Sequence, residues 1–174
     1  MKYLKFGTIT LLGLLLVLVS GCTPEQENPV DLIQEVNASA KAGMQFNFTT
    51  ALKGLNEVPP VATRATGLAK VTISKDGTYL SYRINVANIE DVLFAHFHMA
   101  PTGENGGVVA TLFFSDPPAE DPNGVLVKGI ITADDVSGQI EGDFDALVNA
   151  IRNGNIYINV HSLAVPSGEL RGQL

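Results

Sequence analysis

The alternation of apolar and polar positions along the chain sets the first expectation. Phe46, Phe48, Thr50 and Leu52 alternate with Asn47, Thr49 and Lys53; Ala69, Val71 and Ile73 alternate with Lys70, Thr72 and Ser74; Leu80, Tyr82, Ile84 and Val86 alternate with Ser81, Arg83 and Asn85. A period of two sends successive side chains to opposite faces, so each run predicts a strand with one buried face. Lys75-Asp76-Gly77, between the second and third runs, is a hairpin turn whose Asp-Gly pair supplies positive φ. Further strands are predicted at Leu93 to Met99, Val108 to Phe114, Val125 to Ile131, Ile156 to His161 and Glu169 to Leu174, each bounded by Gly, Pro, Asn or Asp. The one helical pattern runs from Phe144 to Arg152: Phe144, Leu147, Val148 and Ile151 share a face, Asp143 can cap, and Asn153-Gly154 ends it. About eight short strands with one short helix predict an all-β domain, an antiparallel sandwich or barrel.

A different pattern opens the chain. Lys2 and Lys5 precede a dense apolar block from Ile9 to Val19, then small residues and Cys22, the layout of a secretory signal. The block is shorter than the roughly 20 apolar residues of a membrane-spanning helix, and polar, helix-breaking sequence follows it. Val19-Ser20-Gly21-Cys22 resembles a bacterial lipobox. That resemblance implies a signal peptide over residues 1–21, cleavage before Cys22, diacylglycerol on its sulfur and an acyl chain such as palmitate on the new amino terminus. Residues 22–43, polar and Pro-containing at the start, then form a tether, and residues 44–174 the folded domain. The expected location is the cell envelope, lipid-anchored at the outer membrane or cell surface, with the domain outside the cytoplasm.

This division changes the meaning of the composition. Loss of Lys2 and Lys5 with the leader takes the formal charge from −7 to −9, and the remaining chain has no basic patch with interleaved aromatics, so nucleic acid is not an expected partner. Cys22 is the single cysteine, so no disulfide braces the domain. There is no phosphate-binding loop, dinucleotide fingerprint, G-x-S-x-G elbow or H-E-x-x-H pattern. The loop carrying Asp116, Glu120 and Asp121 is acidic, but its D-x-N-G at Asp121 to Gly124 is only a fragment of a calcium loop.

The three histidines carry the remaining chemistry. His96 and His98 lie two apart, opposite in parity to Leu93, Ala95, Phe97 and Met99; His161 shares its parity with Tyr157 and Asn159, opposite to Ile156, Ile158 and Val160. Imidazoles at i and i+2 of a strand sit roughly 7 Å apart at Cα. Both can reach one ion, and a third ring from a neighbouring strand completes a three-nitrogen Cu or Zn site with an open position. The alternative is a set of rim imidazoles hydrogen-bonding loop backbone. Glu57, Glu169 and Arg171 are expected in structural roles, the last two pairing with charges on a strand face.

Three segments carry a resemblance to a known family: LKGLNEVPPVATRATGLAKVTI, FAHFHMAPTGENGGVVATLF and LVNAIRNGNIYINVHSLAVPSGELRGQL. In order and content they resemble the CHRD domain, named after its occurrence in chordin. The resemblance spans about Phe46 to Leu174. It implies an immunoglobulin-like or barrel β-domain of secreted and surface proteins, with no established catalytic activity and no agreed ligand; an unidentified envelope or extracellular protein or polymer is the partner expected of this chain. The cysteine-rich growth-factor-binding repeats of chordin have no counterpart here. The H-x-H strand followed by a Gly-rich loop is also similar to a fragment of copper/zinc superoxide dismutase, but the fourth copper histidine, the disulfide and the zinc loop are missing. A binding or structural module is therefore expected, with a Cu- or Zn-binding, redox or metal-handling domain as the alternative.

Overall fold

The computed structural model describes residues 45–174; the signal segment, Cys22 and the tether lie outside the described residues. In chain order the strands are β1 (Asn47–Lys53), β2 (Thr66–Ile73), β3 (Leu80–Ala87), β4 (Val92–Met99), β5 (Gly107–Ala119), β6 (Gly124–Ile131), β7 (Ile156–Ser162) and β8 (Leu170–Gln173). One α-helix, Phe144–Arg152, precedes β7. The strands form one antiparallel sheet in the order β5-β4-β7-β8-β1-β2-β3-β6.

Connectivity makes this sheet curl. β5 and β6 are its two edges, yet only the turn at residues 120–123 joins them. A flat sheet of eight strands at about 4.8 Å spacing would separate its edges by roughly 34 Å, whereas five extended residue steps reach only about 17 Å. The edges must therefore approach each other, giving a nearly closed barrel. Of the two expected architectures, the barrel is the one adopted.

The interior is the alternation read from the sequence. Leu52, Ala69, Val71, Leu80, Ile84, Ala95, Phe97, Ile158 and Val160 are fully buried, and the Tyr82 ring meets Phe97 edge-on with centroids 6.5 Å apart. The helix buries Phe144, Leu147, Val148 and Ile151 against this core, and the Asp143 carboxylate accepts the Ala146 N–H at 2.8 Å as its cap. The Asp76-Gly77 turn forms as expected, with Gly77 at φ 77° and the Asp76 carboxylate accepting from Thr78 N. Several strands outrun their periodic segments. β5 continues past Phe114 to Ala119, through Pro117 and Pro118, which an edge strand tolerates because one side needs no ladder donors.

Register positions the outer face. β4 pairs continuously with β7 from Phe94 to Met99, setting Phe94 opposite His161, His96 opposite Asn159 and His98 opposite Tyr157. On its other side β4 slips against β5 between Ala95 and His96 and again between Phe97 and His98. Such bulges re-aim side chains without breaking the sheet. Across β7, Asn159 faces Arg171 of β8. The even residues of β4 and the odd residues of β7 and β8 thus share one patch outside the barrel.

Candidate metal centre

The three histidines meet on this patch. Their ligand nitrogens lie within 4.8 Å of one another, the only such group of three or more His, Cys, Asp or Glu side chains among the described residues. His96 Nδ1 and His161 Nε2 are 3.2 Å apart. Two nitrogens on one tetrahedral ion, with bonds of about 2.0–2.1 Å, are themselves about 3.3 Å apart. The cluster is close to the size an ion requires.

Two rings have their protons placed by backbone. His98 Nδ1 lies 2.9 Å from the Gly106 carbonyl and His161 Nδ1 lies 2.9 Å from the Pro166 carbonyl. A carbonyl only accepts, so each Nδ1 carries the hydrogen and each Nε2 presents a lone pair. His98 Nε2 is buried with no hydrogen-bond partner among the described residues. His96 Nδ1–H then donates to the His161 lone pair, a bond that an ion seated between them would replace. The loop-backbone hydrogen bonds of the rim reading are therefore present, and they are also what aims the rings, as the outer hydrogen bonds of metal-bound histidines do.

Electrostatics keeps the imidazoles neutral. Burial, followed by the neighbouring His161 and His98, pushes the His96 pKa down to about 4. Burial also lowers those of His98 and His161, against the opposing carbonyls of Gly106 and Pro166. Neutral imidazole is the form that binds a metal. Three nitrogens without a carboxylate or thiolate suit Cu or Zn better than Ca or Mg, whose preferred ligands are oxygens.

The surroundings explain the burial. Loops containing Glu57–Pro60, Asn105–Gly106 and Ser167–Gly168 close over the patch and leave a cavity of about 270 Å³ beside His98, Tyr157 and Asn159. Glu57 is 6% exposed, and its carboxylate accepts the Asn159 amide at 2.7 Å. Burial, partly countered by Arg171, raises the Glu57 pKa to about 7. Gly168 passes so close that a Cβ there would lie 2.1 Å from Asn159 Nδ2.

Glu169 and Arg171 correct the expectation of strand-face ion pairs. Arg171 is 2% exposed and bonds the Glu104 carbonyl and the Asn105 side chain; Glu169, also buried, accepts from Thr63 and Ser162 hydroxyls. Glu57, expected in a structural role, also belongs to this environment, as do Tyr157 and Asn159, which parity placed on the His161 face but to which no role was assigned. A strand Asn, disfavoured on a pleated surface, was the available signal.

Fold and site together define an all-β domain with a loop-covered polar patch outside its barrel. The family model for the CHRD domain matches residues 48–174, and the chain belongs to that family. Neither a curated protein nor a solved structure matches the chain.

Proposed function

We propose that the chain is an envelope lipoprotein whose CHRD domain is a binding module without catalytic activity, and that its outer-face site takes one Cu or Zn ion through His96, His98 and His161. One observation carries the metal reading: three neutral imidazoles converge, two with Nδ1 fixed by carbonyls, and one has a buried Nε2 without a partner among the described residues. A buried polar atom without a partner costs about 1–3 kcal/mol, which coordination would offset. Three protein nitrogens leave a fourth position for water or a ligand. The chain's own contribution is to hold the rings neutral, oriented and covered by loops. The role is metal handling or metal-dependent attachment to an envelope or extracellular partner.

Elemental analysis after Cu and Zn challenge tests the site. Near one ion per wild-type chain, lost in His96→Ala/His98→Ala, is expected; a metal-free wild type would contradict it. The anchor rests on the Val19-Ser20-Gly21-Cys22 pattern. Labelled acyl chain and membrane partitioning should both disappear in Cys22→Ser, and their persistence would overturn the lipoprotein assignment.

A further inference from the structure

The two carbonyls that set the histidine tautomers come from two different loops, and each loop is tied to a buried charged side chain at one end of the last strand. Arg171 Nη2 donates to the Glu104 carbonyl at 2.7 Å and Nη1 to Asn105 Oδ1 at 3.0 Å. The next residue, Gly106, supplies the carbonyl that holds His98. A second route joins the same residues: the Arg171 guanidinium carbon lies 3.5 Å from the Tyr157 ring centroid, and Tyr157 stacks on His98 at 4.9 Å with 8° between planes. The Tyr157 hydroxyl also accepts the Gly106 N–H at 3.2 Å.

The other loop is held from the other end of the tripeptide Glu169-Leu170-Arg171. Ser162 donates to Glu169 and accepts the Val165 N–H at 3.1 Å, while Thr63 donates to the second Glu169 oxygen at 2.6 Å. Val165 precedes Pro166, whose carbonyl holds His161. The Val165 carbonyl accepts from Gly168 N at 3.0 Å, closing this turn. Among the described residues neither charged group spends itself on an ion pair; Arg171 holds a carbonyl and an amide oxygen, and Glu169 two hydroxyls. A planar guanidinium with several fixed donors is suited to grip two loop oxygens while lying over an aromatic ring, a combination that lysine cannot reproduce.

We infer that Arg171 and Glu169 are positioning residues of the histidine centre: Arg171 fixes the His98 tautomer through the Glu104–Gly106 loop and Tyr157, and Glu169 fixes that of His161 through Ser162 and the Val165–Gly168 turn. This division of labour rests on the metal reading only for its purpose. The tautomers themselves exist without metal.

The test is nitrogen-15 NMR of the imidazoles in the metal-free full processed chain in detergent micelles, read together with metal affinity. In wild type, His98 and His161 should each be Nδ1–H. Arg171→Lys should convert about half or more of His98 to the other tautomer and leave His161 unchanged, and Ser162→Ala should do the reverse. Glu169→Ala, which removes both acceptor oxygens of the Thr63 and Ser162 hydroxyls, should repeat the Ser162→Ala effect on His161. Asn105→Ala, at an exposed position of the same loop, should repeat the His98 effect and covers the case in which Arg171→Lys does not fold. Metal affinity should fall about 10–100-fold with each tautomer loss, the range for outer-shell partners. Tautomers that ignore these substitutions, or that shift together in every variant, overturn the inference. A wild type with the expected tautomers that binds neither Cu nor Zn sinks the metal reading and leaves the positioning account standing.

Discussion

Glu57→Gln isolates the cost of burying a carboxyl over the histidine patch. The side chain is 6% exposed, and its pKa rises from 4.5 to about 7 because burial outweighs the attraction of Arg171 and the hydrogen bond from Asn159. A carboxyl whose pKa is higher folded than unfolded binds its proton more tightly in the folded state. Its contribution to stability is therefore fully present below pH 4.5 and is lost as pH rises through about 7. The full displacement corresponds to about 3 kcal/mol, and solvent screening in the loop cover reduces the expected effect to about 1–2 kcal/mol. Glutamine still offers an oxygen to the Asn159 amide but cannot ionise. Urea unfolding of wild type and variant at pH 3.5 and pH 8 should show equal stabilities at pH 3.5, within about 0.5 kcal/mol, and a variant more stable by about 1–2 kcal/mol at pH 8. Equal stabilities at both pH values, or a less stable variant at pH 8, would refute the reasoning.

Three further outcomes follow from the same geometry. His96 falls from 6.5 to about 4 on folding, so the stability it contributes is present above pH 6.5 and is lost as pH drops through about 4; urea titrations from pH 7 to 4 should show a loss of about 1–2 kcal/mol, after screening, that His96→Asn lacks. Gly168 has φ +124° and faces Asn159, so Gly168→Ala should cost about 2–3 kcal/mol from backbone strain and collision, read as a lower Tm. Phe97 is fully buried at the barrel centre, and Phe97→Ala should cost about 3–5 kcal/mol in urea unfolding.

The strands of the all-β domain were legible because its interior obeys a period of two and its turns carry Gly, Asp and Pro where the chain reverses, while the choice of barrel over sandwich was not. Leu80, Tyr82, Ile84 and Val86, for example, all turn inward as their alternation requires. Parity placed His96, His98 and His161 off the core face, but what brings them together is that β4 and β7 are neighbours, which alternation alone could not establish. What parity could not show is that loops cover this outer face, leaving the histidines half-buried and Tyr157, Asn159 and Arg171 buried. Burial there comes from loops distant in sequence, with Glu57 reaching Asn159 across 102 positions and Arg171 reaching Asn105 across 66. Glu169 and Arg171 looked like solvent-facing strand charges because nothing local reveals the loops that fold over them.

X-ray absorption at the metal edge of the Cu- or Zn-loaded full processed chain tests the central claim most directly, because it counts ligands without depending on activity. The account predicts one ion with three imidazole nitrogens at about 2.0–2.1 Å and one further light atom for zinc. Copper should likewise show three imidazoles. Fewer than three imidazoles, a shell made mainly of oxygen, or a spectrum unchanged by His96→Ala/His98→Ala would contradict it.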